Sequence, residues 1–377
     1  RWRRGAELTR MAAAMGRAHA RSTFARVVGR SSASAASAAE LGDIASHCMG
    51  HLKGPLMKLG QMLSFYGFDV PAPFREALAE LQDSAQGIPA ARAIAALERE
   101  VGPIDGAFAD FERVPIGVGT IGQVHRARLH DGRTVAVKIR YPGIAELVAS
   151  DMDSLGILVP VLERILPRWD VRGLLDEIAV VMREECDYRA EARHQRQFRA
   201  LLADDATFVA PEDIDELSGE TVLTTTFFAG LSYAAFASTA TTREREAAAS
   251  ALLRYVVRTT VKARWFNTDL HPGNLLFDAG RIGLIDFGSV RRWDEAEAEG
   301  WEHILRAVLD DDPALFARSF VRLGLVDPSE PFDFAWAFSL LRDRALGVLT
   351  TERPMRLSLD AVRDEVSIFF ASHPAMR

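Results

Sequence analysis

Lys138, Asp269, Asn274 and Asp286 follow a glycine-rich stretch in that order, and together they have the makings of a phosphate-handling centre. The stretch "RVPIGVGTIGQVHRARL" at 113–129 sets Gly117, Gly119 and Gly122 in the spacing G-x-G-x-x-G-x-V, closed by Val124. Glycine has no Cβ, so backbone N–H groups in such a loop can approach phosphate oxygens closely. Lys138 ends "TVAVK" and offers a point charge on a flexible stem, suited to α- and β-phosphates. In "NTDLHPGNLLF", Asp269 and Asn274 stand five apart, an acid to face a nucleophile and an amide oxygen to hold a metal. "LIDFG" adds Asp286, a hard oxygen ligand for Mg²⁺. Each feature alone is ordinary: a lysine ending an apolar strand usually snorkels, and Asp-Phe-Gly is more often a turn. The ordered set of five carries the argument.

The elements around them decide between nucleotide folds. A dinucleotide unit needs strand, glycine turn, then helix. Here the glycines run into strand-like "QVHRARL" and then Asp131-Gly132, a hairpin signal followed by "TVAVKIR". The loop therefore joins two antiparallel strands, as in the phosphate-covering loop of kinases, and no G-x-x-x-x-G-K-[ST] sequence is present. Val135 and Val137 share one strand face, and Ala136 and Lys138 the other. A long helix is expected over 172–202, a strand over 221–227 and a helix from about 243. A second hairpin is expected in "LLFDAGRIGLIDFG", with helices through 294–377. Strands early and helices late predict an α+β, two-lobed, protein-kinase-like fold with a cleft.

Two departures from protein kinases stand out. Asn267-Thr268 precede Asp269 in place of His-Arg, and after Gly288 only about five residues pass before a helix capped by Asp294. There is no A-P-E, so the platform that receives a peptide is missing.

Composition sets bounds. A length of 377 residues suggests two or three domains, and a net charge of −7 argues against nucleic acid as a partner. Two cysteines, Cys48 and Cys186, with no metal-ligand spacing suit a reducing cytoplasm. Residues 1–40 carry eight Arg against two Glu. A solvated arm, a membrane-surface helix and a transit-type segment are the readings open to them. No stretch reaches the roughly 18 apolar residues of a membrane span. The first residue is Arg1, which reads as part of a longer chain, and a span beyond residue 377 stays open.

Over roughly 45–330 the sequence resembles the UbiB (AarF-type) family of atypical kinases. The most specific marker is K-x-G-Q, here Lys58 and Gln61 in "KGPLMKLGQMLS"; a second is E-x-D, here Glu185 and Asp187 in "EECDYRAEA", and "HPGN" at 271–274 also fits. The resemblance implies an N-terminal helical extension, residues 41–101, folded over the active-site cleft where a protein substrate would sit, with Lys58 and Gln61 facing the nucleotide. It implies that Glu185 and Asp187 meet the extension or the metal region, and that Glu191 pairs with Lys138. A basic arm (1–40), an N-lobe (102–228) and a helical C-lobe (229–377) complete the expected organisation. ATP and Mg²⁺ are the implied cofactors. Asp269, Lys138 and Glu191 are the catalytic candidates, and Asn274 and Asp286 the metal ligands. The nucleotide is expected on Gly117, Val118, Gly119, Thr120, Gly122, Val124 and Lys138, with Thr225 and Phe227 in the hinge.

The implied function is ATP hydrolysis or small-molecule phosphoryl transfer supporting isoprenoid-quinone (ubiquinone) or other lipid metabolism. A prenylated quinone precursor and peripheral association with the inner membrane face are the implied partnerships. The alternative is a nucleotide-sensing scaffold without significant catalysis. The sequence departs from the family in carrying Gly117-Val118-Gly119-Thr120 where an alanine-rich loop is usual, and Thr226 where Glu is frequent.

Overall fold

Alternation of apolar and polar residues in "GQVHRAR" and "TVAVKIR" produces the central strand pair of the computed structural model, which describes residues 87–156, 159, 171–326, 328–329 and 331–342. In chain order the strands of the two larger sheets are β1 (Asp110–Phe111), β2 (Gly117–Val118), β3 (Gly122–Arg128), β4 (Thr134–Arg140), β5 (Phe208–Val209), β6 (Val222–Thr226), β7 (Leu231–Ser232), β8 (Leu275–Asp278) and β9 (Arg281–Leu284), and Trp265–Asn267 pairs separately with Val290–Arg292. One sheet has the order β1-β3-β4-β6, with β2 also paired to β3. Its pairings are all antiparallel. The glycine loop does join two antiparallel strands, with Gly117 opposite Val124 and Val118 opposite Gln123. The Asp131-Gly132 hairpin is present too, but its loop holds three residues, because Leu129 N–H donates to Arg133 O at 2.8 Å and Gly132 N–H to Leu129 O at 3.0 Å. Gly132, with φ 90°, takes the left-handed position that such loops require.

The alternation decides which face is core. Val135, Val137 and Ile139 are fully buried, joined by Val222 of β6 and by Ala93, Ala96 and Leu97 of helix α1 (Ala90–Val101). Lys138 therefore leaves the sheet on the opposite face. Helix α1 closes this core, so the last part of the expected 41–101 extension packs with the sheet. Lys58, Gln61, the remainder of that segment, the arm 1–40 and residues 343–377 lie outside the described residues.

Buried polar groups in the sheet are paired. Gln123 and His125, both fully buried, join through Nε2 atoms 2.8 Å apart, and His125 Nδ1 lies 2.8 Å from Glu112 O. A carbonyl only accepts, so Nδ1 carries the proton and Nε2 accepts from Gln123. Burial lowers the imidazole's pKa, which favours this neutral form. The Gln123 Oε1 takes the Ile88 N–H at 2.8 Å, fixing the entry to α1.

The long helix expected over 172–202 is two helices. After α2 (Ile144–Leu155) come α3 (Val171–Glu185) and α4 (Tyr188–Leu201), separated at Cys186–Asp187. Asp187 is extended and accepts the Ala190 N–H at 3.0 Å, an N-cap that restarts the helix in a new direction. Arg140, at the end of β4, donates to the Cys186 carbonyl and so satisfies the break.

A second sheet has the order β5-β9-β8-β7. Its expected hairpin is the tight two-residue kind, with Ala279 at φ 46° and Gly280 at φ 82°. The chain divides into two compact units, and the division differs from a boundary at 228/229. Among the described residues the first unit holds 87–249 and 267–290, and the second 250–266 and 291–342. The second unit is helical where 294 onward was expected to be. Helix α5 (Glu295–Leu309) opens with a capping box of Asp294 and Glu297, and α6 (Pro313–Arg322) and α7 (Phe334–Leu340) follow. Its core gathers Ile304, Ala307, Val308, Phe316, Phe320 and Phe338.

The glycines of the loop are not equivalent. A Cβ on Gly117 or Gly119 would meet nothing nearer than 3.9 and 3.5 Å, and neither has positive φ. A Cβ on Gly122 would stand 2.4 Å from the Tyr188 hydroxyl and 2.6 Å from the Ile139 carbonyl oxygen. Gly122→Ala is expected to cost about 1–3 kcal/mol by overpacking, while Gly117→Ala and Gly119→Ala leave stability within about 1 kcal/mol. Chemical denaturation of the three variants checks this ordering.

Candidate functional site

Strand β4 and helix α4 carry the two charges at the centre of the site. Lys138 Nζ donates to both Glu191 carboxylate oxygens at 2.8 Å, and to Asp286 Oδ2 at 3.2 Å. The Glu191 side chain is 1 % exposed and that of Lys138 21 %. Burial alone would pull the lysine's pKa down, but the Asp286 and Glu191 carboxylates outweigh it and hold the ammonium well above the usual lysine range. Burial pushes the Glu191 carboxyl up to about 7, against the pull of Lys138.

Asp286 is aimed by its own turn. Its Oδ1 accepts the Gly288 N–H at 2.9 Å, which directs Oδ2 to Lys138. Phe287, fully buried, packs on Phe198 of α4 with ring centroids 5.3 Å apart, and its carbonyl lies 3.1 Å from His194 Nδ1. The turn is thereby tied to the helix that carries Glu191.

The loop of Asp269 and Asn274 is held together from within. Asn274 Nδ2 donates to the Asp269 carbonyl at 3.0 Å, which leaves Oδ1 as the hard oxygen of that side chain. Pro272–Asn274 form a single 3₁₀ turn, begun by His271 accepting the Gly273 N–H at 3.0 Å. Asn267 then joins two pieces of chemistry: its Oδ1 takes the Asp269 N–H at 2.9 Å and its Nδ2 donates to the Asp286 carbonyl at 2.8 Å. Thr268 adds an N–H bond to Ser289 O at 3.0 Å. The Asn-Thr pair, a departure from His-Arg in the sequence, is the clip between this loop and the Asp286 turn.

The remaining expected residues divide. Val124 lies opposite Lys138 in the β3–β4 register, and Thr225 opposite Ala136. The Phe227 N–H is spent on Thr134 O at 3.0 Å, so an adenine edge meeting that segment must find another donor. Glu185 lies against the Asp286 turn, its Cγ 3.7 Å from where a Cβ on Gly288 would be. Asp187 serves as the cap of α4 and stands 3.8 Å from Arg193. Tyr188 was not anticipated. Directly after Asp187 and fully buried, it places its ring under the lysine, with Nζ 5.0 Å from the centroid. Its hydroxyl has no hydrogen-bond partner among the described residues, and burial raises its pKa. An aromatic residue at the first turn of the Glu191 helix was the available signal.

A lysine fixed by two carboxylates and a clipped Asp/Asn loop make up the candidate centre, and the comparisons with known proteins show the family. Residues 80–319 match the family model described as the ABC1 atypical kinase-like domain. The chain belongs to that family, and the resemblance to UbiB-type atypical kinases is borne out. The mitochondrial atypical kinase COQ8B of Rattus norvegicus is 32 % identical over 269 residues, covering 69 % of this chain and 50 % of the relative. The mitochondrial atypical kinase COQ8 of Saccharomyces cerevisiae is 29 % identical over 319 residues, covering 82 % and 61 %. The chain thus spans about half the length of these curated relatives. Among solved structures, Rv3197 of Mycobacterium tuberculosis, determined in complex with erythromycin, superposes with a TM-score of 0.57 at 28 % identity, covering 87 % of this chain and 89 % of that one. No helix among the described residues is long and apolar enough to cross a membrane.

Two predictions follow from the pair's chemistry. Tyr188→Phe keeps the ring under Lys138 and should leave Mg-ATP affinity within about twofold, whereas Tyr188→Leu removes a cation–π contact of about 1–2 kcal/mol and should weaken it about tenfold. Titration with a fluorescent ATP analogue distinguishes them. Because the Glu191 carboxyl is raised to about 7, lowering the pH through 7 neutralises it and loosens Lys138. Nucleotide affinity of the native protein should therefore fall more steeply from pH 8 to 6 than that of Glu191→Gln, whose amide does not titrate.

Proposed function

We propose that the chain is a UbiB-type ATP-dependent enzyme that binds Mg-ATP at the Lys138–Glu191–Asp286 centre and hydrolyses it or passes its phosphoryl group to a small molecule. The observation that carries this reading is Lys138, half-buried, charged and held extended by Glu191 and Asp286 at 2.8 and 3.2 Å. No binding need of the apolar core calls for such an arrangement, and phosphates supply the charge to match it.

The donor set suits Mg²⁺. Asn274 Oδ1 and the Asp286 carboxylate are hard oxygens, and Mg²⁺ is ordinarily held by one or two such ligands together with substrate phosphates. Among the described residues no three His, Cys, Asp or Glu side chains gather into a metal cage, which suits a metal shared with the nucleotide. Bound there, the ion would neutralise charge on the transferring phosphoryl group. Lys138 would orient the α- and β-phosphates, and the β2–β3 glycine loop would offer backbone N–H groups. Asp269, positioned by Asn267 and Asn274, would hold the acceptor hydroxyl or water and take its proton. Rate then comes from positioning and electrostatics.

Only residues 289–293 separate Gly288 from the Asp294 cap of α5. So short a connection leaves no room for a peptide platform and favours water or a small acceptor. Support of isoprenoid-quinone or other lipid metabolism, with a prenylated quinone precursor as the acceptor or activator, follows from the family resemblance. The relatives' names place them in mitochondria, and peripheral association with a membrane is part of the same proposal.

Asp269→Asn should lower ATP turnover at least a hundredfold while nucleotide affinity stays within about threefold. Equal turnover in the two proteins would reject the enzyme reading, and intact complementation by an inactive variant would favour the nucleotide-sensing scaffold. Turnover with liposomes carrying a prenylated quinone precursor should exceed turnover with plain liposomes; no difference would remove the lipid part.

A further inference from the structure

Helix α4 carries Arg189, Arg193, Arg196 and Arg199 at spacings of four, three and three, one stripe along one face. Its two halves differ. Arg196 Nε is 2.8 Å from Asp213 Oδ2 and the guanidinium also pairs with Asp215, while Arg199 reaches Glu212 at 3.4 Å. Among the described residues the N-terminal half has no such neutralisation. Arg193 has only Asp187, at 3.8 Å, and Arg189 makes no hydrogen bond or ion pair among the described residues.

That unneutralised half opens on a cavity of about 410 Å³, whose wall includes Arg140 of β4, Arg183 of α3, Asp187 and Glu220. Four guanidiniums face two carboxylates. Asp187 already spends an oxygen on the α4 cap, and Glu220 stands 3.4 Å from Arg140. Arg183 uses Nε on the Ala179 carbonyl at 3.0 Å, leaving its terminal nitrogens for other acceptors. Cys186 also lines the space, but burial pushes its thiol up to about 11, so it adds no charge at neutral pH. Glu146 and Glu185 act on Cys186 from the flanks but do not line the space, whose wall carries the four arginines against Asp187 and Glu220 alone.

We propose that this cavity is a binding site for a phosphate group, separate from the Lys138 centre. Guanidiniums converging from three elements match the several acceptor oxygens of a phosphate through forked, charge-assisted hydrogen bonds. A neutral ligand would leave this charge unmatched, and a carboxylate would use fewer of the donors. Arg140 stands two residues beyond Lys138 on β4, and Arg189 and Arg193 flank Glu191 on α4. A phosphate here would brace the two elements that hold the Lys138–Glu191 pair. The assignment does not rest on ATP binding at that pair.

The test is a ³¹P NMR titration of the full chain with inorganic phosphate, in the native protein, in Arg189→Gln/Arg193→Gln and in Lys138→Met. Both arginines are exposed, so the double variant should fold normally, as an unchanged circular dichroism spectrum would verify. The double variant is expected to bind at least tenfold more weakly, and Lys138→Met to bind as the native protein does. Co-sedimentation with phosphatidylcholine vesicles, with and without phosphatidic acid, separates the sources of the phosphate. Dependence of free phosphate binding on the two arginines supports a soluble ligand; dependence of phosphatidic acid binding alone supports a lipid headgroup at the same site. Binding that is lost in Lys138→Met but kept in the double variant, or that depends on the arginines in neither assay, overturns the proposal.

Discussion

An ammonium taken out of water must be met by negative charge, and the site is organised around meeting that of Lys138. Desolvation of such a group costs several kcal/mol unless partners repay it. Glu191 and Asp286 do so from two different elements, so the strand, the helix and the turn after β9 cannot shift independently. Tyr188 fills the space beneath the ammonium, and its bulk in turn dictates a residue without a side chain at position 122. One half-buried charge thus constrains residues spread over more than 160 positions of sequence.

The helix break at Cys186–Asp187 belongs to the same logic. A continuous helix would have carried the 188–201 segment along the direction of α3. Restarting it with an aspartate cap re-aims the face that carries Tyr188, Glu191 and Phe198, which meet Lys138 and Phe287. Asn267 likewise couples the loop of Asp269 to the turn of Asp286 through one side-chain amide. Both devices are polar side chains bonded to backbone, which fix orientation without needing a large apolar area.

Much of this was legible because period-two patterning and turn residues are local signals. "QVHRARL", Asp-Gly and "TVAVKIR" defined the hairpin, and the orientation of Lys138 followed from strand alternation. The long helix was misread for the complementary reason: apolar spacing runs through 172–202 without a proline or glycine at the break, and a lone Asp187 reads equally as helix surface or as cap. Asn267 was visible only as a mismatch to His-Arg, since a bond to a carbonyl 19 residues away leaves no pattern in one sequence. The signal from Tyr188 was weak because a buried aromatic near a helix start is common, and its importance rests on a contact 50 residues distant in sequence. Phe227 was expected in the hinge, and the hydrogen bond from its amide to Thr134 O joins residues too far apart in sequence to leave a pattern.

The unequal glycines of the β2–β3 loop carry one more implication. Position 122 is pinned by the architecture beneath it, whereas a methyl group at 117 or 119 would make only ordinary van der Waals contact. Folding therefore constrains one residue of this short loop and leaves the other two to the phosphate handling proposed for it. Lineages can exchange glycine for alanine at the first two positions with little effect on the scaffold, so the loop's behaviour toward nucleotide is free to diverge while the fold stays put.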